Sequence, residues 1–220
     1  MDWAPLVLSF QVAAAATVVA TVAGIGLGLL LAWKRFFGRD LLDAISTAPM
    51  VMPPTVLGYY VLVSLGRHSA VGHAWEALTG SPIVFTKTGA VVAASLTALP
   101  LVVKSARAAL EGVDATLVKA ARTLGAGPVR ALFTVRLPLA SRGLIAGVML
   151  GFAHSLGDFG VTLMVAGDIP GQTQTASLAI YDAIQGHQEA QAAGMVAVLT
   201  SITIVALYFV NKLSGRRDVA

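Results

Sequence analysis

Few residues in this chain have chemistry to offer, and they sit in an apolar background. His154 and Asp158 stand inside the otherwise uncharged run Gly143 to Gly167. A spacing of four is about one helical turn, so their side chains would share a face. An acid at membrane depth is costly and functional by default. Its expected role is a hydrogen-bonded gate or a partner for a cation; the alternative is an interfacial acid satisfied by water. Hydroxyls at Thr55, Ser64, Ser95, Thr97, Ser155 and Thr162 could hold a passing ligand. Each is individually weak, because Ser and Thr often bond their own helix backbone. Weak binding suits a transport path, since a tightly held ion would not leave.

Covalent and nucleotide chemistry find no support. There is no G-x-x-x-x-G-K-[ST] loop to cradle phosphates, no H-E-x-x-H and no G-x-S-x-G. With no cysteine, disulfides, thiol catalysis and Cys-ligated metals are excluded. His68 and His73 match no standard metal spacing and read as residues of a solvated loop. No catalytic residue, metal ligand or cofactor site is expected in this chain.

The elements that must position these groups are membrane helices. Only 12% of the 220 residues are charged, half the share of a soluble domain, and mean hydropathy is +0.79. The chain reads as a single transmembrane domain over residues 1–220, an all-α polytopic protein with five or so spans. These fall at about 5–33, 45–66, 86–106, 143–166 and 190–211, each near the twenty residues that cross a bilayer. Gly24 and Gly28 form a GxxxG that would let another helix approach closely. Pro49, Pro53 and Pro54 interrupt the second run. Two readings follow: a broken span lining a path around residues 50–60, or a short lead-in with the helix beginning at Thr55. Pro100 would break the third span. Residues 67–87 read as a polar loop, and residues 168–189 as another with a short helix near 177–184.

Five spans put every Lys and Arg except Arg67 and Lys87 on one side. Positive residues accumulate on cytoplasmic loops. The N-terminus is therefore expected outside and the C-terminus in the cytoplasm. The same rule accounts for the net charge of +4 without a nucleic-acid partner.

The most patterned basic segment is Lys119 to Pro138, within a loop at 109–139. Asp114 can cap a helix starting at Ala115. Leu117, Ala120, Ala121 and Leu124 then form one apolar stripe, with Lys119 and Arg122 pointing elsewhere. Gly125 suits the left-handed position that ends a helix. After Gly125-Ala126-Gly127, Pro128 can start a second short helix that Pro138 stops. A loop that only enforced topology would explain the charges, but not the cap, stripe and elbow. The pattern points to a docking surface.

This segment resembles the loop of permease subunits of ATP-binding-cassette importers, whose pattern is Glu-Ala-Ala, three residues, Gly, nine residues, then Ile-x-Leu-Pro. Ala120, Ala121, Gly125, Leu137 and Pro138 match at that spacing. Lys119 stands in place of the Glu and Val135 in place of the Ile. Residues 109–139, 155–167 and 169–181 together look like molybdate-type permeases, with sulfate permeases sharing the general plan. The resemblance implies a type I (MetI-like) importer permease in the cell inner membrane, its loop forming a coupling helix. It implies a homodimer, two cytoplasmic ATPase subunits holding ATP and magnesium, and an external oxyanion-binding protein. The docking residues would be Leu117, Lys119, Ala120, Ala121, Arg122, Leu124, Gly125, Ala126, Gly127, Leu137 and Pro138. Path or gate candidates are Pro53, Pro54, Thr55, Ser155, Asp158 and Thr162. Asp158 would repel an oxyanion, so it is expected as a gate and not as a ligand. The alternatives are a sulfate- or thiosulfate-type permease, a scaffold or channel without ATP coupling, and a lipid-modifying membrane enzyme.

Overall fold

A computed structural model describes residues 3–33 and 36–214. The charges expected at Lys34, Arg35, Arg216 and Arg217 lie outside the described residues. Among the described residues, four helices are long and apolar enough to cross a membrane, or five with one sharply bent pair. They begin with α1 (Ala4–Trp33) and α5 (Lys87–Glu111), which form the centre of the bundle. Leu8, Val12 and Ala16 of α1 bury against Ala90 and Ala94 of α5, and Ala20 meets Ala98 and Val102 further along.

Lipid tails are as apolar as these side chains, so close van der Waals packing holds the pair together. Gly24 and Gly28 supply the closest approach, and they spend it inside the chain. A Cβ at Gly28 would lie 2.7 Å from the Ala106 Cβ and 3.2 Å from the Arg107 nitrogen. Gly28→Leu should therefore force the helices apart at a cost of about 1–3 kcal/mol. The measurement is thermal stability of detergent-solubilised protein. Wild-type melting would refute this assignment of the GxxxG.

Several expectations are corrected. Pro100 does not break the third span: α5 runs through it to Glu111, five residues beyond the expected end. Pro100 is buried, and packing on neighbouring helices offsets one lost backbone hydrogen bond. The loop at 67–87 contains α4 (Ala70–Thr79), capped by Ser69, whose hydroxyl accepts from the Gly72 amide at 2.9 Å. In the second run, α2 (Arg39–Thr47) leads through a 3₁₀ turn, Ala48–Met50, to α3 (Pro54–Leu65). The two arms bend by 110°. Both readings find support: the run is broken and sharply bent at the prolines, and after the break the helix starts at Pro54, one residue before Thr55, behind a lead-in that is itself helical. At 1.5 Å per residue, α3 is about 18 Å long and does not cross alone.

The fourth span starts earlier than residue 143 and is broken. Helix α6 (Ala115–Thr123) precedes α7 (Pro128–Ala131), which continues through a π turn, Leu132–Arg136, into α8 (Leu137–Leu156). Pro138 therefore does not stop a short second helix. The π turn, where the Leu137 amide reaches the Leu132 carbonyl, shifts the register just before the proline. The chain breaks at Gly157–Phe159 and resumes as α9 (Gly160–Ala166). Then follow α10 (Ala176–Gln185), close to the expected short helix, and α11 (Glu189–Ser214).

Candidate functional site

The elbow forms from local rules. The Asp114 carboxylate accepts the Thr116 amide at 2.8 Å, and that hydrogen bond, with a second to the Thr116 side chain, holds its carboxyl below the usual range. At the far end of α6 the Ala126 amide donates to the Ala121 carbonyl at 3.0 Å, and the Gly125 amide to the Arg122 carbonyl at 3.1 Å. This paired closure is the Schellman motif, and it requires the left-handed Gly125, at φ +88°. Gly127 is extended and hands the chain to Pro128 at the first turn of α7.

The apolar stripe of α6 is uncovered. Leu117 and Leu124 are exposed, the latter 89%, and Val129 and Phe133 beyond the elbow are exposed as well. Lys119, Ala120 and Arg122 are exposed and Ala121 half-buried. An apolar patch of this kind, rimmed by charge, marks an interaction site. Leu137 and Pro138 stand apart from it. Leu137 packs inward on a cluster with Leu110 and Ala140, while Arg136 Nε donates to the Leu110 carbonyl at 3.1 Å. These residues fix the foot of α8 on α5. The sequence reading missed Val129 and Phe133, because their exposure depends on helix continuing through Pro138.

The second constellation is where α3 and α9 meet. The two helices pack side by side. Leu57 and Val61 of α3 join Val161 and Val165 of α9 and Ala93 of α5 in one buried cluster. Glycine allows the contact: a Cβ at Gly160 would lie 2.6 Å from the Pro54 Cβ, and one at Gly58 would lie 2.5 Å from the Met164 Cβ. Pro53, Pro54 and Thr55 are exposed at the start of α3, where no side chain caps the helix.

Asp158 lies in the break and not on α8. Its carboxylate accepts the Thr162 amide at 3.0 Å and the Thr162 hydroxyl, and its carbonyl accepts Ser177 Oγ at 2.7 Å. It thus closes the start of α9 and ties it to α10. His154 is exposed and, among the described residues, forms no ion pair with Asp158; the break turns the acid off the shared face. Ser155 and Thr162 are buried. Ser155 donates to the Ala94 carbonyl at 3.2 Å, while Ser95 and Thr97 bond within α5. Of the hydroxyls proposed for a path, these four are engaged inside the packing, whereas Thr55 and Ser64 are exposed.

A bundle with a broken span and a capped, uncovered elbow between two membrane helices defines a helical membrane permease. The fold agrees with one chain of the inward-facing MetNI methionine ABC transporter, at TM-score 0.71 and 16% identity, covering 96% of this chain and 94% of that one. A bacterial ABC importer of the acidic polysaccharide alginate gives 0.69 at 14% identity, covering 98% and 79%. The chain belongs to the family of binding-protein-dependent transport system inner membrane components, whose model matches residues 24–217. It is a multi-pass permease subunit of ABC importers. It is 41% identical over 207 residues to the molybdenum transport system permease protein ModB of Escherichia coli K12, covering 94% of this chain and 90% of that protein. ModB of Haemophilus influenzae is 38% identical, covering 98% and 95%. The sulfate transport system permease protein CysT of Escherichia coli K12 is 33% identical, covering 96% and 77%.

Proposed function

We propose that this chain is the permease of an ATP-driven importer that carries molybdate, and its near-isostere tungstate, into the cytoplasm. It works as a homodimer with two ATPase subunits and an external oxyanion-binding protein. The observation that carries the coupling is the uncovered elbow, Leu117 to Phe133, rigidly capped at both ends of α6. The substrate rests on likeness to the ModB proteins, which exceeds likeness to the sulfate permease. Charge asymmetry along the sequence supports the elbow facing the cytoplasm, where ATP is, and the N-terminus facing outward.

In this reading the ATPase seats on Leu117, Lys119, Ala120, Ala121, Arg122, Leu124 and the Gly125-Ala126-Gly127 turn. Lys119 presents a positive charge to that partner where the family pattern has an acid. Movement of α6 passes into the last turn of α5 and the foot of α8, and so to the α3–α9 pair. The path lies along the exposed face of α3 from Pro53, Pro54 and Thr55, whose uncapped helix start is the positive end of the backbone dipole. Asp158 keeps the break in the fourth span closed by holding Thr162. Substrate arrival and nucleotide state each bias a two-state bundle, and each acts only through its differential affinity for the two states.

The test is uptake into vesicles containing the permease and its ATPase, with binding protein outside, comparing molybdate, tungstate and sulfate. ATP-dependent uptake with molybdate and tungstate ahead of sulfate is expected. Uptake without ATP would leave a channel, and sulfate preference would make this a sulfate-type permease.

A further inference from the structure

Five charged side chains gather where α2 meets the end of α5, and neither the elbow nor the path uses them. Arg107 Nη1 lies 2.8 Å from Asp43 Oδ2, and Lys104 Nζ lies 3.2 Å from Asp43 Oδ1. Arg107 Nε donates to Glu111 Oε1 at 3.0 Å, and the same oxygen accepts Arg39 Nη2 at 3.1 Å. Arg39 Nε also donates to the Leu31 carbonyl at 2.8 Å. Burial alone would raise the Asp43 carboxyl; Lys104 and Arg107 outweigh it and hold it below its ordinary value.

The position of this lattice is unusual. Glu111 is the last residue of α5, and only Gly112, Val113 and the Asp114 cap separate it from α6. Arg39 and Asp43 lie on α2, which leads through Ala48–Met50 and the 110° bend into α3. Arg39 also grips the end of α1. One lattice therefore joins the helix that receives the elbow to the arm that carries the path helix.

Stability does not account for it. The paired side chains are partly open to solvent, 22–49% exposed, where ion pairs contribute modestly, and a packed arm would be secured by apolar contacts. Ser46 is the buried residue of α2, while Leu41 and Ile45 are exposed. The arm has little apolar seating on the rest of the bundle, so its direction is set by charged contacts. Such contacts are directional, and several converge on Asp43 from α5.

We propose that Asp43, held by Arg107 and Lys104, is a positioning residue that transmits displacement of the elbow to α3. The proposal rests on the ATP-coupled reading above. When α6 moves, the last turn of α5 moves with it, and the Asp43–Arg107 contact draws α2 along. The bend at Met50–Pro53 then turns that movement into a displacement of the start of α3 relative to α9. Without the contact, the elbow still seats on the ATPase but α3 no longer follows.

The test uses the assembled complex in proteoliposomes, with molybdate uptake and ATP hydrolysis measured in the same vesicles. Asp43→Asn is nearly isosteric and Arg107→Gln keeps most of the stem. Each is expected to retain ATPase association and hydrolysis while uptake per ATP falls by about tenfold, within the usual range of coupling between sites. Asp43→Glu should retain coupling. Unchanged uptake per ATP in Asp43→Asn, or loss of ATPase association in it, would overturn the proposal, the second by showing a role in assembly. ATP-independent uptake by the wild type would overturn the functional reading itself, and this inference with it.

Discussion

Gly125→Val is expected to abolish association of the permease with its ATPase while leaving membrane insertion unchanged. The backbone at Gly125 is left-handed, at φ +88°, and nothing lies within 4 Å of where its Cβ would be. The substitution is therefore not excluded by space; it is penalised by the backbone alone. A side chain in this region costs about 1–2 kcal/mol, and a β-branched one is a genuine outlier. The chain would escape by leaving the left-handed region. That opens both closing hydrogen bonds, releases the Ala121 and Arg122 carbonyls, and redirects α6 relative to Pro128. In the proposed docking the ATPase reads the elbow as a shape, so the loss should exceed the strain itself. Gly125→Asn should be mildest, since Asn tolerates this conformation. Gly127→Ala separates backbone strain from contact: Gly127 has φ −63° and an equally open Cβ position, so a side chain there strains nothing and any loss would come from the docked face itself. Copurification of solubilised permease and ATPase reads the result. Full association of Gly125→Val would show that the elbow's shape is not what the partner recognises.

The elbow was legible because it is built from neighbours. Asp114, the stripe through Leu124, and Gly125 each act within a few residues, and capping chemistry links residue type to geometry at that range. Ser69 and Gly80 were equally local signals for α4. The cap at Ser69 and the left-handed Gly80 bracket a helix that polarity alone obscured. Proline misled for a different reason. A helix-breaking rule counts the lost hydrogen bond and the clash within a regular helix. At Pro100 tertiary packing outweighs that cost, and at Pro138 the π turn removes the regular register on which the rule depends.

The rest of the site depends on distant partners. Asp43 pairs with residues 61 and 64 positions away, and nothing in the composition around Asp43 announces them. The hydroxyls illustrate the same gap. Ser155 and Thr162 stand on either side of the break in the fourth span, but their packing turns them to the Ala94 carbonyl and to Asp158. Thr55 remains exposed at the start of α3, which begins at Pro54, one residue before the start the lead-in reading gives. His154 and Asp158 would have met on an unbroken helix. The Gly157–Phe159 break separates them and makes Asp158 the clasp of α9.

Gly160→Val is expected to stop transport while sparing both insertion and ATPase association. The Cβ it introduces would sit 2.6 Å from the Pro54 Cβ. Proline has no alternative rotamer to swing away, and its ring is fixed to the start of α3, so the helix itself must move. Overpacking of this kind costs about 1–3 kcal/mol. The strain falls on α3 because, at about 18 Å by its helical rise, it does not span the bilayer and is positioned by what it packs against. Gly58→Val applies the same test one turn along, against the Met164 Cβ, and should act in the same direction. Gly26→Val is the control, with nothing within 4 Å of its Cβ. Uptake in vesicles should fall by about tenfold or more for Gly160→Val, since 1.4 kcal/mol of bias is already a tenfold change in an equilibrium. ATP hydrolysis should continue, because the elbow lies at the other end of α8. Wild-type uptake by Gly160→Val would mean that the α3–α9 contact is not part of the path. Loss of hydrolysis together with uptake would instead place this contact within the coupling machinery, because a path constriction alone gives the ATPase no reason to stop.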